Sequence, residues 1–110
     1  MTVADAVAGT AAALGARDAF GLVGSGNLLL ANALVAAGVS YHGACHESGA
    51  VAMADGYARV SGSVGVATVH QGPGLTNTLT ALTEAVRSRT PLVVLAAEKA
   101  VGTAPDLVGW

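Results

Sequence analysis

Pro91-Leu92-Val93-Val94-Leu95 carries no polar side chain in five consecutive residues. A strand with one face in water would alternate apolar and polar positions. An unbroken apolar run instead reads as a strand covered on both faces, the usual setting of a parallel sheet. Three β-rich runs precede it, Ala19 to Val23, Val39 to Ala44 and Val64 to Val69, and helical segments separate them. Strands alternating with helices of this length predict an α/β fold, a parallel sheet flanked by helices and joined by right-handed crossovers.

The helices carry their own start and stop signals. Thr2 with Asp5 three residues on is a capping-box variant, Val3, Val7, Thr10 and Leu14 recur at helical spacing, and Gly15 supplies the stop. Asn27 is placed to cap a helix over Leu28 to Ala37, which Gly38 closes. After His46-Glu47 an alanine-rich helix runs to about Val60 and ends at Gly62. A further helix, with Leu75, Leu79, Leu82 and Val86 along one stripe, follows the turn His70 to Gly74 and cannot continue past Pro91. The expectation is a single domain over residues 1–110, incomplete at its C-terminal end, with its core in 3–98 and a loop or the start of the next unit in 99–110.

Charge and composition narrow the functional classes. The net charge is −2 and no basic cluster offers phosphate contacts, so nucleic acid is not an expected partner. The uncharged stretch from Ala19 to Cys45 is interrupted by Ser25, Asn27, Asn32 and several glycines, so no membrane span is expected. Cys45 is the only cysteine, which excludes an internal disulfide, and the start MTVADAV lacks the basic and apolar regions of a signal peptide. A cytoplasmic location is the expectation.

Ligands of an open parallel sheet bind outside the carboxyl ends of its strands. Three loops fall on that edge: Gly24 to Asn27, Cys45 to Ser48, and His70 to Gly74. Gly24-Ser25-Gly26 could let backbone N–H groups approach an anion. However, Leu29 occupies the position of the third glycine of a dinucleotide fingerprint, and no Gly-Lys-Ser/Thr follows. A tight strand-to-helix turn is the simpler reading. Glu47 opens a helix whose next turns hold Gly49, Ala50, Ala52, Ala54 and Gly56, a face on which another backbone or a flat ligand could pack closely. The helix N-terminus favours its ionised form and burial its protonated one, and a solvated first-turn carboxylate is the alternative to both. His70 ends a strand before a sharp Gly-Pro-Gly turn, where a histidine is either structural or catalytic. His42, His46 and His70 have no zinc-ligand spacing, and no metal site is assigned.

Three motifs occur in order: His46-Glu47-Ser48-Gly49 through Gly56-Tyr57-Ala58-Arg59, then Gly72-Pro73-Gly74-Leu75-Thr76-Asn77, then Arg89-Thr90-Pro91 leading into Leu92 to Leu95. Together they resemble the N-terminal pyrimidine-binding domain of thiamine-diphosphate enzymes, the group of acetolactate synthase and benzoylformate decarboxylase. The resemblance covers about Val3 to Glu98. It implies a 2-oxo-acid decarboxylase or carboligase in which Glu47 hydrogen-bonds ring nitrogen N1′ of the cofactor's aminopyrimidine. By the same resemblance Gly72, Pro73, Gly74 and Asn77 line the cofactor. His70 is the counterpart of a benzoylformate-decarboxylase histidine active in proton transfer, and Ser25 falls near that enzyme's substrate-contacting serine.

Ser48 stands where acetolactate synthases commonly have glutamine, and Val23-Gly24 where many members have Pro-Gly. The family holds Mg²⁺ and the diphosphate through a Gly-Asp-Gly motif and a later Asn, which these 110 residues do not contain. A diphosphate-binding domain on another chain or a further segment is therefore an implied partner, as are a homo-oligomer interface at the small-residue face of the Glu47 helix and a small 2-oxo acid substrate. A non-catalytic α/β module for assembly or small-ligand binding is the alternative.

Overall fold

The computed structural model describes residues 1–97; the expectation for 99–110 lies outside them. The order of elements is α1 (Val3–Ala13), β1 (Asp18–Gly21), α2 (Leu28–Ala36), β2 (Ser40–Gly43), α3 (Glu47–Ser61), β3 (Gly65–Val69), α4 (Pro73–Thr76), α5 (Leu79–Arg87) and β4 (Leu92–Ala96). The four strands form one sheet in the order β2-β1-β3-β4, and every neighbouring pair is parallel. This is the expected α/β architecture. Among the described residues no helix is long and apolar enough to cross a membrane.

Alternation along the strands divides the core into two layers. Ala19 and Val66 point to a face where Ala8, Ala33, Leu34 and Val39 pack from α1, α2 and the β2 approach. Phe20 and Ala67, the next residues along, point to the opposite face and meet Ala50, Val51 and Ala54 of α3. Alanine dominates both layers, so the helices approach the sheet closely. The tightest point is Gly65, where a Cβ would overlap the carbonyl of Ala54. Ala50 and Ala54 form the inward part of the small-residue face on α3, packed against the sheet. Gly49 and Gly56 have nothing within 4 Å of a built Cβ and lie in open space.

Several local expectations change. The first strand begins at Asp18 and ends at Gly21, ahead of the expected Val23. The predicted single helix after Gly74 is two, because Thr78 donates its hydroxyl to the Leu75 carbonyl at 2.6 Å, a side-chain bond that competes with helix continuation. The large apolar stripes also lie mostly outward: Leu75, Leu79 and Val86 are 42%, 59% and 69% exposed, and Val3 of α1 and Leu14 just past its end are exposed too. Leu82, with Ala81, packs on the core instead. β4 is covered on one face by the α3/α5 layer, through Leu92 and Val94. On its other face a groove of about 600 Å³ runs between Val7 of α1, with Leu14 at the end of that helix, and Val66, Val93 and Leu95 of the sheet.

The capping box at Thr2 and Asp5 forms as predicted, with Thr2 Oγ1 accepting from the Asp5 amide at 3.1 Å and Asp5 Oδ2 accepting from the Thr2 amide at 2.9 Å. Gly15, Gly38 and Gly62 stop their helices with positive φ.

Candidate functional site at the carboxyl edge of the sheet

β1, β2 and β3 run in the same direction, so the segments that leave them emerge on one edge. The Gly24 to Asn27 loop, the entry to α3 and the His70 to Gly74 turn meet there, as sequence spacing predicts. Gly74 joins two of the candidate residues directly. A Cβ built on it would lie 3.2 Å from His70 Cβ and 3.7 Å from Glu47 Oε2. A Cβ at this position would press on His70 and touch Glu47, so the glycine keeps a space beside both side chains free of a side chain of its own.

Glu47 is the first residue of α3. His46 precedes it in extended conformation and caps the helix, its Nδ1 accepting from the Ser48 amide at 3.0 Å. The Glu47 side chain is only 13% exposed. Its Oε1 accepts a hydrogen bond from Asn77 Nδ2 at 3.2 Å, and no described residue bonds Oε2. Asn77 is itself tied to α3 because its carbonyl accepts from Ser48 Oγ at 2.6 Å. The acidic group thus has one oxygen anchored and one open.

His70 leaves the end of β3 into a pocket walled by glycine. Gly24 approaches its ring within 3.6 Å of a built Cβ, and at Gly26 a Cβ would overlap Nδ1. That Nδ1 is buried and has no hydrogen-bond partner among the described residues. Gly72 adopts φ 63° and ψ −119°, a backbone that side chains resist, and Pro73 takes the first position of α4. Ser25 is exposed at the tip of the first loop.

Asn27 does something other than what its position suggests. It makes no side-chain cap on α2. Fully buried at 1% exposure, it accepts from the Gly24 amide at 2.7 Å through Oδ1 and donates through Nδ2 to the Leu22 carbonyl at 3.2 Å and to Thr68 Oγ1 at 3.3 Å. Tyr41 Oη lies 2.7 Å from the same Thr68 hydroxyl. Burial pushes the Tyr41 phenol above its ordinary value, and the Thr68 bond opposes that. Gly21 completes the arrangement, since a Cβ there would overlap both hydroxyls. Asn27, Tyr41 and Thr68 thus join the ends of β1, β2 and β3 beneath the loop that covers His70. Sequence reasoning missed Tyr41 and Thr68; the available signal was a hydroxyl in each of two strands, one of them otherwise wholly apolar.

His42 and Cys45 do not join the site. His42 Nε2 pairs with Asp18 Oδ1 at 2.8 Å and stacks on Phe20 at a 4.9 Å centroid distance, and Cys45 is exposed. The His42 bond holds the Asp18 carboxyl below its usual range.

Residues 1–106 match the family described as the N-terminal TPP binding domain of thiamine pyrophosphate enzymes. The chain is 39% identical over 98 residues to sulfoacetaldehyde acetyltransferase of Castellaniella defragrans, covering 89% of this chain and 16% of that protein. It is also 39% identical over 97 residues to the acetolactate synthase isozyme 3 large subunit of Escherichia coli (strain K12), covering 87% and 16%. An X-ray structure assigned as a thiamin diphosphate-dependent enzyme from Mycobacterium smegmatis superposes with a TM-score of 0.83 at 29% identity, over 92% of this chain and 19% of that one. The chain therefore spans under a fifth of the length of these proteins.

Proposed function

Since the chain belongs to the N-terminal thiamine-pyrophosphate-binding domains of thiamine pyrophosphate enzymes, whose cofactor is thiamine diphosphate, we propose that it is the pyrimidine-binding domain of a 2-oxo-acid decarboxylase or carboligase. The observation that carries this reading is the shared contact of Gly74 with Glu47 Oε2 and the His70 side chain. It supports a reading in which a carboxyl oxygen and the base of the His70 side chain border a space next to Gly74 that has no side chain of its own.

The residues suit a flat, polar heterocycle. Glu47 has one free oxygen in a mostly buried setting, and the backbone of Gly72, Pro73 and Gly74 can lie against a ring without a side chain intervening. His70 Nδ1 is a buried polar atom with no hydrogen-bond partner among the described residues. When bound, the cofactor supplies a nucleophilic thiazolium carbon and an acceptor for the electron pair released on decarboxylation, and the protein contributes orientation and proton control.

In this reading Glu47, through Oε2, would hold the cofactor's pyrimidine ring by its nitrogen N1′ and would be the group able to exchange a proton with it. His70 delivers or removes a proton at the substrate side, in the manner of benzoylformate decarboxylase. Ser25, on the loop that covers His70, offers its hydroxyl to the substrate carboxylate. Residues 1–110 form one part of the pyrimidine domain. A diphosphate-binding domain elsewhere in the assembly, on another copy in a homo-oligomer, holds the diphosphate and Mg²⁺.

The test is turnover by the complete enzyme with a panel of small 2-oxo acids, following release of carbon dioxide. Release that requires both thiamine diphosphate and Mg²⁺ is the expected result. Failure of every 2-oxo acid while thiamine diphosphate is bound would overturn the decarboxylase or carboligase reading.

A further inference from the structure

We infer that Asn77 is a positioning residue for Glu47, with Ser48 as its anchor, rather than a residue that contacts the cofactor; this rests on the role proposed for Glu47. The two hydrogen bonds between Asn77 and the first turn of α3 form a closed clamp. Asn77 Nδ2 donates to Glu47 Oε1 at 3.2 Å while the Asn77 carbonyl accepts from Ser48 Oγ at 2.6 Å. Glu47 and Ser48 are adjacent in sequence and Asn77 lies about 30 residues on, so the clamp fixes the α4–α5 junction to the start of α3.

The break between α4 and α5 makes this possible. α4 ends at Thr76 and α5 begins at Leu79, and Thr78 is occupied with the Leu75 carbonyl. Among the described residues the Asn77 carbonyl accepts no helical amide and takes the Ser48 hydroxyl instead. A continuous helix would point this carbonyl along its own axis, away from α3.

The consequence falls on the two carboxyl oxygens of Glu47. An amide N–H can only donate, so Oε1 is committed as its acceptor. Oε2, the oxygen beside Gly74, is left for the ligand and for any proton that Glu47 exchanges with it. Without the clamp the carboxyl group could rotate about its last torsion and present either oxygen at varying angles. A displacement of about 1 Å in such a group can cost about 10²-fold in rate.

The experiment uses the complete enzyme and the variants Asn77→Ala, Ser48→Ala, Ser48→Thr and the Asn77→Ala/Ser48→Ala double. Three readouts are taken: crystal structures without cofactor, the dissociation constant for thiamine diphosphate with Mg²⁺, and kcat with the best 2-oxo acid. Asn77→Ala should move the Glu47 carboxylate in the cofactor-free structure and lower kcat by about 10- to 100-fold, with the dissociation constant changing less than about threefold. Ser48→Ala should lower kcat less, Ser48→Thr should restore it, and the double variant should be no worse than Asn77→Ala.

A dissociation constant that rises in step with the loss of kcat, with the Glu47 carboxylate unmoved, would make Asn77 a cofactor contact and overturn the inference. If Glu47→Gln retains wild-type turnover, the role given to Glu47 fails instead. The cofactor-free structures still report whether Asn77 holds the carboxyl group.

Discussion

Gly26 lies against the His70 imidazole so closely that a methyl group on its Cα would overlap Nδ1 and stand 3.2 Å from Ala97 Cβ. The imidazole is backed at this point by glycine, and Nδ1 is buried against it with no hydrogen-bond partner among the described residues. Gly26 therefore limits where the ring sits by shape.

Gly26→Ala should displace the imidazole and reproduce the effect of His70→Ala. Overpacking of this kind also destabilises by about 1–3 kcal/mol. Turnover by Gly26→Ala, His70→Ala and the double variant measures the coupling. Losses that multiply in the double variant would show that Gly26 does not act through His70.

Glu47→Gln keeps the size of the side chain and removes its ability to exchange a proton. The complete enzyme should lose about 10²–10⁴-fold in kcat, the span usual for general acid–base participation. Asn77 can still donate to the Gln carbonyl oxygen, so α3 and its clamp should remain folded, which circular dichroism would check. Near-wild-type kcat at saturating thiamine diphosphate would count against the assignment.

The division between what could be read in the sequence and what could not follows the range of the forces involved. The apolar run Leu92 to Leu95 and the glycine stops at Gly15, Gly38 and Gly62 are local signals, and the parallel sheet follows from them. The edge carrying Glu47, His70 and the Gly-Pro-Gly turn follows from strand direction. Side-chain bonds between distant segments are not local. Nothing near Asn27 says that its amide turns inward to Thr68 instead of capping α2, and nothing near Thr78 says that its hydroxyl will end α4. Side-chain size misled too: Leu75, Leu79 and Val86 look like a buried stripe, but the close approach of helices to sheet selects alanine, as at Ala50 and Ala54.

Thr68→Val tests the polar junction under the first loop. The change keeps the shape of a fully buried side chain while leaving Asn27 Nδ2 short of one acceptor and the Tyr41 hydroxyl without its partner. Leaving buried polar groups unpaired costs about 1–3 kcal/mol. Denaturant unfolding should show that loss for Thr68→Val and a smaller one for Thr68→Ser. Equal stability of Thr68→Val and wild type would mean that the hydroxyl contributes nothing to the junction.

Acid should weaken the contact between α3 and α5 through Asp55. Its carboxyl, 7% exposed as a residue, accepts from Arg59 Nε at 2.8 Å and Nη2 at 2.9 Å, and Arg59 reaches Glu84 of α5 at 3.5 Å. Hydrogen bonding from Arg59 holds the Asp55 pKa below the ordinary 3.8, against a smaller opposing effect of desolvation. A carboxyl whose folded pKa is depressed binds its proton more readily in the unfolded chain. Its stabilising contribution is therefore complete above the unfolded value and is lost as pH falls from about 3.8 through the lower folded value. Asp55→Asn should be less stable than wild type at pH 7, and the difference should shrink as pH drops through that window. Thermal unfolding of both proteins from pH 7 downward measures it. A gap that stays constant, or widens, on acidification would show that the Asp55 carboxylate does not link folding to proton binding.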